Sequence, residues 1–143
     1  MILFLDASAL VKRYVEEKDS QFVRTHLAAG PCAASRLSEV EVASALCRRH
    51  REGYLKRSQR DIGLEALRAD CEDLFLVELS SLVTARATEL LTRHNLRAAD
   101  ALQLASCLEL RQELRSPDVP FLAFDERLCE AAKREGLPVI GYD

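Results

Sequence analysis

The stretch Ile2-Leu3-Phe4-Leu5-Asp6-Ala7-Ser8-Ala9-Leu10-Val11 decides the fold class. A four-residue apolar run stops at an aspartate, and helical spacing begins at once. Such a run, too short for a helix core and bounded by a polar residue, reads as a buried strand. Leu10, Val11, Tyr14 and Val15 then place apolar side chains at helical intervals over Ser8 to Glu16. The same alternation repeats along the chain. Pro31 to Ala34, Leu74 to Glu78, Val119 to Phe124 and Val139-Ile140 read as strands. Ser20 to Ala29, Leu37 to Arg51, Ser58 to about Cys71, Ser81 to His94, Ala98 to Leu114 and Glu126 to Arg134 read as helices. Short apolar strands separated by helices predict an α/β fold, with a mostly parallel sheet covered on both faces and helices in the majority. The 143 residues suit a single domain spanning 1–143.

Composition removes several classes of function. The opening apolar run is far too short to span a bilayer and has neither a basic flank nor a cleavage site. The expectation is therefore a cytoplasmic protein with no membrane partner. Five cysteines (Cys32, Cys47, Cys71, Cys107, Cys129) form no CxxC, and the three histidines fall at no metal-ligand spacing. They read as small buried hydrophobes rather than zinc ligands. No GxGxxG, P-loop or GxSxG motif occurs. With 6% aromatic residues and no Trp, the composition speaks against a base-stacking platform of the RRM kind. The net charge of −3, from 20 basic and 23 acidic residues, gives no global attraction to nucleic acid. Binding phosphate would need local basic clusters or bound metal ions.

Four acids stand out by position. Asp6 and Asp125 each end a strand and open a helix, where either could be simply an N-cap. Ligand sites in open α/β sheets gather at the carboxyl ends of strands, so the pair also marks one candidate rim. Glu41 lies in a helix with apolar residues on several sides (Leu37, Val40, Val42, Ala43, Leu46), its neighbours at helical spacing being Leu37, Ser44, Ala45 and Arg48. It needs a partner, either an ion pair such as Arg48 or a metal ion. Glu39 points elsewhere and reads as surface. Asp100, in Leu96-Arg97-Ala98-Ala99-Asp100-Ala101-Leu102-Gln103-Leu104-Ala105, sits in a first helical turn among small side chains. The helix dipole alone would favour it there. Together the four make an all-oxygen donor set, suited to Mg²⁺ or Mn²⁺ rather than zinc.

These stretches resemble the PIN-domain ribonucleases, especially VapC-type toxins of toxin–antitoxin pairs. Phe4 to Lys12 is similar to the family's first motif. Ser35 to Leu46 is similar to the second, with its acid on Glu41, and Leu96 to Ala105 to the third, with its acid on Asp100. Phe124-Asp125-Glu126-Arg127-Leu128, followed by Ala131-Ala132 and Glu135-Gly136-Leu137, resembles the fourth. The four occur in order over nearly the whole chain. Gln103 stands where relatives often carry His, and Ala123 where a Ser or Thr commonly precedes the fourth acid, so Ser8 becomes the alternative hydroxyl.

The resemblance implies a three-layer α/β/α PIN-like fold with about five short strands. It implies an endoribonuclease dependent on Mg²⁺ or Mn²⁺, with Asp6, Glu41 and Asp100 as main ligands and Asp125 a ligand directly or through water. It also implies a small VapB-like antitoxin whose tail occupies the site, and a homodimer is expected. Candidates for contact with RNA are Ser8, Lys12, Arg13, Arg48, Arg49 and Arg51, together with the basic run Lys56 to Arg60. For the two basic runs the competing reading is a solvated helix end. The alternatives are an RNA-processing PIN nuclease without an antitoxin, or a non-catalytic PIN module that binds RNA or protein. A phosphatase-like domain with Asp6 as nucleophile is disfavoured, because Asp-Ala-Ser lacks the second Asp of a DxD motif.

Overall fold

The computed structural model describes residues 1–141. Five strands form one sheet: β1 (Leu3–Leu5), β2 (Cys32–Ser35), β3 (Phe75–Val77), β4 (Phe121–Leu122) and β5 (Val139–Ile140). Their order is β3-β2-β1-β4-β5, and every neighbouring pair is parallel. The chain adds β2 and β3 on one side of β1, then β4 and β5 on the other. A topological switch point therefore lies between β1 and β4, where the crossovers diverge and leave a crevice at the strands' carboxyl ends.

Period-two alternation sorts side chains between the two faces. Phe4, Ala33 and Phe121 point to one face, where they pack against α5 (Ser81–Arg93), α6 (Ala98–Leu114) and α7 (Glu126–Arg134). The Phe4 and Phe121 rings stack with centroids 5.7 Å apart. Leu5, Cys32 and Leu122 point to the other face, against α1 (Ala7–Leu10) and α2 (Ser20–Ala29). Ala34 joins Leu10 and Val11 against α3 (Arg36–Arg51) and α4 (Arg57–Asp73) on that face. The layers are thus helix, sheet and helix, as expected. No helix among the described residues is long and apolar enough to cross a membrane.

Two predicted elements come out shorter. The helix expected over Ser8 to Glu16 is a single α turn, α1, followed by a 3₁₀ turn at Val11–Arg13. Arg13 and the Tyr14 hydroxyl both hydrogen-bond Asp70 of α4, and that docking draws the chain out of helical register. The strand expected over Val119 to Phe124 narrows to β4 because Pro120 has no N–H to give the ladder. Its carbonyl instead accepts from Phe4 N (2.9 Å), while the Pro138 carbonyl accepts from Phe121 N (2.8 Å). Ala123 N still donates to the Ile140 carbonyl at 3.4 Å, Phe124 N donates to Ser8 Oγ instead, and Asp125 follows at the strand end.

Candidate active site

The sheet's switch point sets the first and last of the four acids side by side. Asp6 directly follows β1, and Asp125 follows β4 by way of Ala123 and Phe124. Each is also a working N-cap: Asp6 Oδ1 accepts from Ala9 N at 3.0 Å, and Asp125 Oδ1 accepts from Leu128 N at 2.9 Å. The cap and site readings of these residues are therefore not alternatives. Capping fixes each carboxylate at a strand end while its remaining lone pairs face the crevice.

Helix α3 brings Glu41, and α6 brings Asp100. The four acids line one open cleft of about 670 Å³, shared with Ala7, Ser8, Val11, Lys12, Glu17, Val40, Ser44, Ala45, Arg48, Arg49, Arg97, Gln103 and Phe124. The helix-face reading of Glu41 holds, since Ser44, Ala45 and Arg48 share the cleft wall with it. Its partner, however, is neither Arg48 nor any other cation among the described residues. Glu41 Oε1 accepts from Gln103 Nε2 at 2.8 Å, and the same nitrogen donates to Ser38 Oγ at 2.9 Å. Gln103 is buried, and its orientation is fixed electrostatically, because a flipped amide would press oxygen against the carboxylate. Its Oε1 is left buried without a partner. Glu39 is exposed and pairs with Arg36, as its position on the helix suggested.

Ser8 joins the two strand ends. Its hydroxyl lies 2.8 and 2.9 Å from the two Asp6 oxygens, and Phe124 N donates to it at 3.3 Å. Ala123 is fully buried in the core and offers no hydroxyl, whereas the Ser8 hydroxyl lies between the two strand ends.

Electrostatically the acidic end of the cleft is short of positive charge. Burial pushes the Asp6 carboxyl up to about 7; the bonds from Ser8 and Ala9 oppose that rise, and the nearby Asp100 charge adds to it. Asp100 is raised as well, first by burial and then by the Asp125 charge, with Arg97 working against both. Carboxylates that raise one another's proton affinity across a cleft suit a divalent cation. The donors are all oxygen, as Mg²⁺ or Mn²⁺ requires. Among the described residues, no three Asp, Glu, His or Cys side chains already stand close enough to hold an ion, so binding would draw these rotamers inward. The donor chemistry fits such an ion.

The basic candidates divide. Lys12, Arg48 and Arg49 reach the cleft. Arg13 does not; it is tied to Asp70 and lines a separate cavity beside α2. Arg51 and the Lys56 to Arg60 run lie outside the cleft lining. Sequence reasoning passed over Arg97 as a cleft residue, although it stands three positions before Asp100 and its Nε lies 3.5 Å from the Asp100 carboxylate. It also passed over Glu17, whose cation partners only the fold brings near.

An all-parallel sheet of order β3-β2-β1-β4-β5 with a carboxylate-lined cleft at its switch point defines the chain as an open, doubly wound α/β domain. The sequence matches the PIN domain over residues 3–134, and the chain belongs to the PIN domain family. It is 34% identical over 144 residues to Ribonuclease VapC45 of Mycobacterium tuberculosis, covering 96% of this chain and 94% of that one. The fold is similar to that of VapBC2 from Rickettsia felis, solved bound to a promoter DNA fragment (TM-score 0.68, 16% identity, all of both chains). It is also similar to Mycobacterium tuberculosis VapC20, described as a sarcin-ricin loop cleaving toxin (TM-score 0.66, 17% identity, 90% of this chain and 94% of that one).

Proposed function

We propose that the chain, as one PIN-like domain over residues 1–143, is an endoribonuclease dependent on Mg²⁺ or Mn²⁺ and the toxin of a type II toxin–antitoxin pair. The observation that carries this is the convergence of Asp6, Glu41, Asp100 and Asp125 on one cleft that Lys12, Arg48, Arg49 and Arg97 also line. Similarity to Ribonuclease VapC45 over nearly the full length, at 34% identity, supports RNA as the substrate. The likeness to VapBC2, and to a toxin–antitoxin complex from Klebsiella pneumoniae (TM-score 0.67), supports a small VapB-like antitoxin as partner. A second copy of the chain is the other expected partner, and the cytoplasm the expected place of action.

Asp6, Glu41 and Asp100 are the proposed main ligands, with Asp125 a ligand directly or through water. A divalent ion in such a site supplies charge neutralisation at phosphate oxygens and a more acidic attacking water. The chain's own residues provide the geometry. Ser8 and the Ala9 amide hold Asp6 in one orientation, and Gln103 holds Glu41. Such supporting hydrogen bonds fix ligand direction and basicity. Lys12, Arg48, Arg49 and Arg97 hold the flanking phosphates of a strand laid across the acids.

Mapping new 5′ ends in cellular RNA after induced expression tests this reading. The expected result is cleavage at discrete sites with growth arrest, both absent for Asp100→Asn and suppressed by a co-purifying short partner. Growth arrest by Asp100→Asn equal to that of the wild type would overturn the site.

A further inference from the structure

Glu17 stands at the basic end of the cleft with its carboxylate shared between two cations. Its Oε1 lies 3.3 Å from Lys12 Nζ, and its Oε2 lies 2.9 Å from Arg49 Nη2. All three side chains are largely withdrawn from solvent, at 13% exposed for Lys12, 27% for Glu17 and 24% for Arg49. The other guanidinium nitrogen, Arg49 Nη1, is buried without any hydrogen-bond partner. A donor left unsatisfied beside a pair of cations signals a missing acceptor, because burying such a group unpaired is costly. One carboxylate supplies two oxygens, whereas a phosphate supplies more acceptors around a similar centre. The cradle thus holds an anion smaller than the one its donors match.

We propose that Glu17 is an internal stand-in for an RNA phosphate: Lys12 and Arg49 form a phosphate subsite next to the carboxylates, and Glu17 occupies it until RNA displaces it. This rests on the nuclease reading of the cleft and adds a self-restraining contact to it. The local backbone permits the exchange. Ser20 Oγ accepts from Glu17 N at 3.0 Å and donates to the Val15 carbonyl at 2.8 Å, so the loop is pinned. Only the Glu17 side chain has to swing. Lys12 keeps its bond to the Lys18 carbonyl (2.8 Å) and its place over the Phe124 ring, and so is already oriented for the incoming phosphate.

The test is binding of a labelled, mixed-sequence single-stranded RNA to the full chain in an Asp100→Asn background, which keeps the probe intact. Having to open each of the two ion pairs weakens wild-type binding by a factor of about two to five even at the worth of a surface pair, so Glu17→Gln should tighten it about four- to twenty-five-fold. The bound complexes hold the same phosphates, so the log Kd against log salt slope should differ by less than the ~0.7 that one phosphate contact contributes. Glu16→Gln removes the same charge from an exposed side chain paired to Arg24 outside the cleft, and should change little. The gain should vanish when Lys12 and Arg49 are both changed to Gln. Equal tightening by Glu17→Gln and Glu16→Gln, or a gain that survives without the two cations, overturns the proposal. Tighter capture of a protein partner with unchanged RNA affinity also overturns it. Wild-type chain that cleaves RNA while Glu17→Gln binds it no better sinks this inference alone. Wild-type chain that neither binds nor cleaves RNA sinks the nuclease reading as well.

Discussion

Changing Asp6 to Asn should abolish cleavage and at the same time stabilise the fold. Burial raises this carboxyl from 3.8 to about 7, so the folded chain holds its proton more tightly than the unfolded chain does. Its stability contribution is fully present below pH 4 and is lost as pH rises through 7. At 1.36 kcal/mol for each pH unit between the two values, the ionised carboxylate costs folding about 4 kcal/mol by pH 8. Asparagine removes that cost, which is already net of the bonds that Ser8 and the Ala9 amide make to the carboxylate. The gain at pH 8 is about 4 kcal/mol, or roughly 10–15 °C in Tm. At pH 5 much of the advantage should be gone, because Asp6 is then protonated in the folded wild type. Urea unfolding of both chains in EDTA at pH 5 and pH 8 measures the difference directly. Saturating Mn²⁺ should stabilise only the wild type and close the gap, since a ligand that binds the folded state adds to its stability. An Asn variant no more stable than wild type at pH 8, or an advantage equal at both pH values, would refute the burial cost assigned to Asp6.

Gln103→Leu should lower cleavage about 10- to 100-fold with the fold intact, whereas Gln103→His should retain most activity by still donating toward Glu41. Steady-state cleavage and thermal unfolding of both variants check this, and equal losses would show that Gln103 only fills space. Glu41→Gln should abolish cleavage, while Glu39→Gln, which breaks an exposed pair with Arg36, should leave rate and stability within experimental error. Parallel assays of the two that gave equal losses would mean the helix face had been assigned wrongly.

How far the sequence carried the site depends on the range of the interactions involved. Helices α6 and α7 run Ala98–Leu114 and Glu126–Arg134, as periodicity alone predicts. The Asp125 cap is a local signal, and local signals survive folding. Asp6 and Asp125 were legible for the same reason, as strand-end acids that cap helices. Glu41 was legible from helix geometry, but its partner was not. Gln103 lies 62 positions away, and no local pattern announces a pairing between helices packed on opposite faces of the sheet. Arg13 misled because one α turn followed by a 3₁₀ turn points it to Asp70, 57 positions along, instead of to the cleft. Glu17 was hidden in the same way, because its ion pair with Arg49, itself named from the sequence as a contact for RNA, spans 32 positions. Ser8 was read as the substitute for a hydroxyl at Ala123, and its contacts to Asp6 and Phe124 N give it a physical place between the two strand ends.

The metal-dependent carboxylate site is the central claim, and cleavage of RNA before and after chelation tests it most directly. Purified chain treated exhaustively with EDTA should cut nothing. Returning Mg²⁺ or Mn²⁺ should restore cutting to the wild type and leave Asp100→Asn inert. Undiminished cleavage in the chelator, or equal recovery by the variant, would contradict it.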